Sequence, residues 1–242
     1  MVPSPIVALG FLGALQGNGK IAERQTTACA TGVHIIVARA STERPGTGVI
    51  GAIANNIQTQ IPGSDIEAVD YPAELNPYKP SQKAGVTAMT KLVQNYAAAC
   101  PQTQMVLMGY SQGAHVTADV MCGTSEDGFE PTQPQAADVT DKVAAILLMG
   151  DPSHVNGQPF NQGTSQKDGR FPRQNNAGCG AVASKMVSFC NTGDPFCDNG
   201  RNVQVHLSRT VTQQLNSSCL KCEEVVHRGL LHDWMIMLEG QA

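Results

Sequence analysis

Apolar residues in this chain fall into two kinds of run. Short, dense ones occupy Val33–Ala38, residues 105–108, Val143–Met149 and Met186–Phe189, with a weaker one at 66–69. Runs of this length, bounded by turn-forming residues, read as buried strands. Elsewhere the apolar positions are spaced. Val49, Ile53, Ile57 and Ile61 recur at every fourth residue, and Val86, Met89, Val93 and Tyr96 recur within 81–99. That spacing lines up one face of a helix. Strands that alternate with helices predict a single α/β domain with a central, mostly parallel sheet flanked by helices. In such a sheet, reactive groups collect at the carboxyl ends of the strands. Two stretches rich in Gly, Pro, Gln and Asn, 123–140 and 151–180, read as loops on the same scaffold.

Length and composition support this picture. A chain of 242 residues, 41% hydrophobic and 15% charged, is globular in composition and fits one domain. Its net charge of −4 and lack of a Lys/Arg block exclude the electrostatic footprint of a nucleic-acid binder. An apolar run from Ile6 to Leu15 is too short to span a bilayer. It reads as the core of a secretory signal peptide, although Met1 to Pro5 carries no Lys or Arg. Lys20 to Arg24 would close a short pro-segment, so 1–24 is expected to be removed and 25–242 to form the extracellular domain. The eight cysteines fit four disulfides in a secreted protein, with the pairing left open. Asn216-Ser-Ser218 is an acceptor sequon for N-glycosylation.

The chemistry is most legible around Met105-Val-Leu-Met-Gly109-Tyr-Ser111-Gln-Gly113-Ala-His. A short apolar strand leads into Gly-x-Ser-x-Gly, and Val116, Val120 and Met121 suit a helix behind it. A nucleophilic serine needs this layout: a tight strand-to-helix turn lifts its hydroxyl above the sheet, and the glycines tolerate the crowding. The helix that follows points amides at a reacting carbonyl. A serine hydroxyl also needs a base, and the partners in such folds follow in the order Ser, Asp, His. Asp194, in the turn after Met186–Phe189, is the candidate acid, and His206, twelve residues on, the candidate base. Cys190 and Cys197 flank the acid, and a bridge between them would hold its carboxylate still. Asp151, at the end of Val143–Met149 with His154 three residues on, is the rival acid. It ranks lower because no covalent loop surrounds it, and it reads as a structural Asp that orders loops at the sheet edge.

Taken together, these residues resemble the cutinase and fungal acetylxylan esterase superfamily, carbohydrate esterase family 5. Gly109-Tyr-Ser-Gln-Gly113 is similar to its nucleophile motif, and Ala38-Arg-Ala-Ser-Thr-Glu43 to its oxyanion segment. Asp194-Pro-Phe-Cys197 and Val205-His206 are similar to its acid and base motifs. Val69-Asp-Tyr-Pro-Ala73, Met149-Gly-Asp-Pro152 and Gly157-Gln-Pro-Phe160 resemble the acetylxylan esterase branch more closely. The resemblance runs over about 29–215 and implies a cutinase-like α/β-hydrolase fold. It implies an oxyanion hole made by Ser41, side chain included, and the amide of Gln112. Cys29–Cys100 and Cys190–Cys197 bridges are implied too, and Cys122–Cys179 as in the acetylxylan esterases. Cys219 and Cys222 remain for a local bond, since two cysteines alone do not make a zinc site. The segment 219–242 departs from the family, with Leu230, Trp234 and Met237 spaced for a helix face.

Three functions compete: an acetyl esterase acting on acetylated polysaccharide such as xylan, a cutinase or short-chain lipid or polyester esterase, and a catalytically weak secreted binding protein. The intact Ser, Gln, Asp and His speak against the third. The segment Cys197-Asp-Asn-Gly-Arg-Asn-Val-Gln-Val-His206 is mostly polar up to Asn202 and favours short acyl groups on a sugar. The expectation is a monomer that needs no cofactor, metal, nucleic acid or membrane.

Overall fold

The computed structural model describes residues 28–207. The expected signal segment, Asn216, Cys219, Cys222, His227, His232 and the rest of the C-terminal tail lie outside the described residues.

Six parallel strands form one sheet. In chain order they are β1 (Val33–Ala38), β2 (Asp65–Ala68), β3 (Gln104–Tyr110), β4 (Val143–Met149), β5 (Asn161–Gln162) and β6 (Met186–Phe189). Their spatial order is β2-β1-β3-β4-β6-β5. The helices are α1 (Gly51–Gln60), α2 (Tyr78–Ala99), α3 (Gln112–Cys122), α4 (Ala137–Thr140) and α5 (Val203–Leu207). Side chains alternate across the sheet, so two cores form. Ile36, Leu107, Ile146 and Leu148 pack with α2 and α3 on one face. Val33, Ile35, Val37, Met108 and Leu147 pack with α1 on the other. Strands covered on both faces have to be apolar throughout, which is why β1, β3 and β4 read as dense runs. Each fully buried Ile, Leu or Met contributes roughly 1.5–3 kcal/mol.

The topology fixes where a site can lie. From β1 the chain turns outward to β2, then crosses to β3 on the other side, so the strand order reverses between β1 and β3. The carboxyl ends of strands at such a reversal leave a crevice. Ser41 follows β1 and Ser111 follows β3, and Ala38 and Gly109 are register partners.

Among the described residues, three disulfides join Cys29 to Cys100, Cys122 to Cys179 and Cys190 to Cys197. The first ties the start of the described chain to the end of α2. The second pins the loop before β6 to the end of α3. The third closes the turn that carries Asp194.

The two long polar stretches are pinned by charge. His115 and Asp119 on α3 meet Glu126 and Arg173 from the loops, and all four are buried. Arg173 lies 2.6 Å from Asp119 and 3.2 Å from Glu126, and His115 Nε2 lies 3.4 Å from Asp119. Tyr78 Oη lies 3.0 Å from His115 Nδ1, and Gln82 donates to Asp119. The three acidic and imidazole groups bring ligand atoms within 4.8 Å of one another. A metal ion there would have to share both carboxylates with the guanidinium, so the group reads as an ion network already neutralised by the chain's own cations.

Burial pulls His115 down, but Asp119 and Glu126 outweigh it and hold the imidazole above its ordinary value. Burial pushes Glu126 up, but His115 and Arg173 overcome it and hold the carboxyl at about 2, against an ordinary 4.5. A carboxyl depressed by folding stabilises above its unfolded value, and that contribution is lost as pH falls through its folded value. Glu126→Gln is therefore expected to cost about 3 kcal/mol or more at neutral pH, because Arg173 loses a buried partner. It should also flatten the fall of Tm between about pH 5 and pH 2. Thermal melts followed by circular dichroism across that range check both; an unchanged acid limb would remove Glu126 from the account.

Candidate active site

Ser111 sits between β3 and α3 with φ 53° and ψ −118°, a conformation rare for a residue with a side chain. Its neighbours make that turn possible. A Cβ on Gly109 would run into the carbonyl of Gly113, and a Cβ on Gly113 would run into the carbonyl of Ala38. Glycine at both positions lets the end of β3, the turn and the end of β1 close on one another. Ser111 N–H donates to Met149 O at 2.8 Å, which moors the turn to β4.

Three side chains from distant segments meet here. Ser111 Oγ lies 2.9 Å from His206 Nε2, and His206 Nδ1 lies 2.7 Å from Asp194 Oδ2. The other oxygen of Asp194 accepts from the amides of Phe196 at 2.7 Å and Cys197 at 3.2 Å. That division of labour fixes the carboxylate within the turn closed by Cys190–Cys197. A carboxylate only accepts, so Nδ1 carries the imidazole proton and Nε2 is left to accept from the serine hydroxyl. All three residues are buried, with Ser111 the most open at 8%.

His206 is held from several sides. Its ring lies between Tyr110, at 5.2 Å, and Phe196, at 4.5 Å. Tyr110 Oη donates to the His206 carbonyl at 2.6 Å. Burial pushes the Tyr110 hydroxyl well above its ordinary value, so it remains a donor. Behind the ring is Gly150, at φ 61°, where an added Cβ would lie 2.8 Å from His206 Cε1 and 3.0 Å from Nδ1. Gly150→Ala should therefore displace the imidazole. Misplacing a reacting group by about 1 Å costs roughly 100-fold in rate. Steady-state kinetics on a nitrophenyl ester should show a kcat loss of that order; a variant within a factor of two of the parent would mean that the ring has room to spare.

The oxyanion candidates occupy the crevice between β1 and β3. Ser41 Oγ is buried and has no hydrogen-bond partner. Gln112 begins α3, and its side chain is turned inward: Nε2 donates to Glu74 O at 3.0 Å and Oε1 accepts from Ser81 at 3.0 Å. Its main-chain amide, at the positive end of α3, is the group of this residue that suits a developing anion.

Asp151 is not part of this constellation. Its carboxylate accepts from the amide and hydroxyl of Ser153, each at 2.8 Å, and Ser153 in turn accepts from Arg173 at 3.1 Å. His154 is buried beside it, with burial pulling its imidazole down. His34 lies at the opposite end of β1, paired with Asp65 and Glu67 and stacked on Tyr96. Tyr110, Phe196 and Gly150 lie within the motifs that resemble the family, but their contacts with His206 are not legible in the sequence. Tyr110 sits inside the nucleophile motif, and that was the available signal.

The family model for cutinase matches residues 29–219. Cutinase 11 of Verticillium dahliae is 34% identical over 203 residues, covering 80% of this chain and 68% of that protein. An acetylxylan esterase of Hypocrea jecorina is 34% identical over 184 residues, covering 72% of this chain and 61% of that enzyme. The chain thus spans less than two thirds of that relative's length. Among solved structures, the catalytic core domain of an acetyl xylan esterase from Trichoderma reesei aligns with a TM-score of 0.74 at 29% identity, covering 84% of this chain and 100% of that one.

Proposed function

The chain belongs to the cutinase family, and on that premise we propose that it is a secreted serine esterase that removes acetyl groups from a cell-wall polysaccharide such as acetylxylan. The observation that carries the reading is the continuous relay from Asp194 through His206 to Ser111; the buried, unpartnered Ser41 hydroxyl, on the loop after the neighbouring strand, supports it.

In this scheme His206 Nε2 takes the proton of Ser111 as Oγ bonds to the acetyl carbon. The carbonyl oxygen becomes an alkoxide, met by the Ser41 hydroxyl and the Gln112 amide. Asp194 stabilises the imidazolium and keeps the proton on Nδ1. His206 then passes its proton to the sugar oxygen as the ester C–O bond breaks. Water repeats the sequence on the acyl-enzyme, releasing acetate and restoring Ser111. No cofactor enters any step. Three disulfides support an oxidising, extracellular setting. In this reading residues 1–24 are the removed leader and 25–242 the working domain.

The acid–base segment supports short acyl groups, in a narrower way than its composition suggests. Asp198 faces inward, accepting from Ser165 at 2.6 Å and from the Gly193 amide at 2.7 Å, so it belongs to the scaffold. Arg201, Asn202 and Gln204 are exposed and suit sugar hydroxyls, as does Asn199. A second reading, an esterase for longer acyl chains, is favoured by one observation: Val203 and Leu207, on either side of His206, are 48% and 63% exposed. Each buried methylene contributes about 0.8 kcal/mol, so such residues could grip an alkyl chain. A nitrophenyl ester series from acetate to palmitate separates the two. Rates should fall steeply beyond butyrate, and acetylated xylan should release acetate. A maximum at eight carbons or longer would replace the first reading with the second.

A further inference from the structure

Two side chains that flank Ser41 are used almost entirely on the backbone of the loop that carries it. Arg39 and Glu43 bracket Ser41 and Thr42. The carboxylate of Glu43 accepts from the Ala40 amide at 2.7 Å and from the Val49 amide at 2.9 Å, so it ties the start of the loop to its end. Arg39, which is buried, donates to four carbonyls: Glu43 at 3.0 Å, Tyr71 at 2.6 Å, Pro72 at 3.3 Å and Val69 at 3.4 Å. Tyr71 closes the ring by donating to Arg39 O at 2.5 Å. Inside this frame Thr42 is held at φ 67°, with its amide on Ala73 O at 2.7 Å. A positive φ on a residue with a Cβ persists only where surrounding bonds impose it.

What the frame holds in place is a buried hydroxyl, Ser41 Oγ, without a partner. Buried polar groups are nearly always satisfied, and an exception points to a ligand or a reacting atom. Hydrogen bonds from amides to a carboxylate are the strong, charge-assisted kind and fix geometry well. We infer that Glu43, with Arg39 behind it, is a positioning residue of this esterase: its carboxylate presets the Ser41 loop so that the serine hydroxyl is ready for the oxyanion before substrate arrives. The inference rests on the proposed role of Ser41 and extends it to a residue that never touches substrate. Preset donors are what make such a site effective, because no reorganisation is left for the moment of reaction.

The test is a double-mutant cycle on Ser41→Ala and Glu43→Gln, read as kcat and KM on nitrophenyl acetate, with melting temperatures for each protein. Ser41→Ala should lower kcat by about 100-fold or more. Glu43→Gln keeps the volume but replaces a charged acceptor with an amide, and should lower kcat roughly tenfold or more with KM nearly unchanged. In the Ser41→Ala background the Glu43 change should add almost nothing, because its effect runs through that hydroxyl. Multiplying effects would place Glu43 outside the oxyanion machinery and overturn the inference, while leaving the role of Ser41 intact. A Ser41→Ala enzyme of unaltered kcat would instead remove Ser41 from the mechanism, and this inference with it. Gly48→Ala gives an independent route should Glu43→Gln fail to fold. A Cβ there, at φ 60°, would meet both the Glu43 carboxylate and Arg39 Cβ and would displace the frame with its charges intact. It should lower kcat in the same selective way, and a Gly48→Ala enzyme with parental kcat would refute the inference.

Discussion

Ser111→Ala is expected to lower kcat by about a million-fold while leaving the protein folded. The hydroxyl is the one group removed, and its hydrogen-bond partner is His206 Nε2 at 2.9 Å. The main-chain bonds that shape the turn, Ser111 N–H to Met149 O and His115 N–H to Ser111 O, do not involve that group. The unusual φ of 53° is met equally by alanine, which has the same Cβ, so no new strain arises. Loss of one hydrogen bond costs about 1 kcal/mol. For a domain of this size that amounts to a change of about 2–4 °C in Tm. Three measurements check the expectation: turnover of nitrophenyl acetate, a thermal melt, and the mass gained on treatment with a serine-reactive phosphonate. The parent should gain one phosphonyl group and the variant none. A variant that still turns over at one hundredth of the parental rate would put the nucleophile elsewhere.

Why Ser111 was visible in the sequence while its supports were not is a matter of how local each constraint is. The turn needs glycine two residues away on each side, because a Cβ on Gly109 or Gly113 would meet backbone. That requirement is written within five positions. The main strands were equally legible, since burial on both faces forces dense apolar runs in β1, β3 and β4. The edge strand β5 was not, because Asn161 and Gln162 carry no apolar pattern and join the sheet through their backbone. Long-range polar pairing leaves no periodic trace. Arg173 and Asp119 are 54 residues apart, and nothing near either one announces that the loops 123–140 and 151–180 are anchored by buried charge. Composition also misjudged facing around His206. Asp198 counts as polar but points inward, while Val203 and Leu207 count for little yet are exposed. Gly150 lies within Met149-Gly-Asp-Pro152, but what crowds it is a side chain from a segment far along the chain, which that motif does not spell out.

Asp194→Asn and Asp151→Asn should separate by about three orders of magnitude in kcat, with Asp194→Asn roughly 10^4-fold below the parent and Asp151→Asn within about tenfold of it. Both aspartates follow neighbouring strands at the carboxyl end of the sheet, and both are buried, so burial does not tell them apart. Their partners do. In the Asp194→Asn protein the side-chain amide oxygen would keep accepting from Phe196 N–H and Cys197 N–H, which turns the NH2 group toward His206 Nδ1. A donor in that place selects the tautomer with its proton on Nε2, and Nε2 can then no longer take the serine proton. The fold should survive, because the turn keeps its bonds and its disulfide. Asp151 instead holds Ser153, and through it Arg173, so its replacement should appear in the melt and far less in turnover. The decisive comparison is kcat beside Tm for the two proteins, measured at one pH with one ester. A dead Asp151→Asn beside an active Asp194→Asn would transfer the acid to the end of β4 and undo the arrangement proposed for His206.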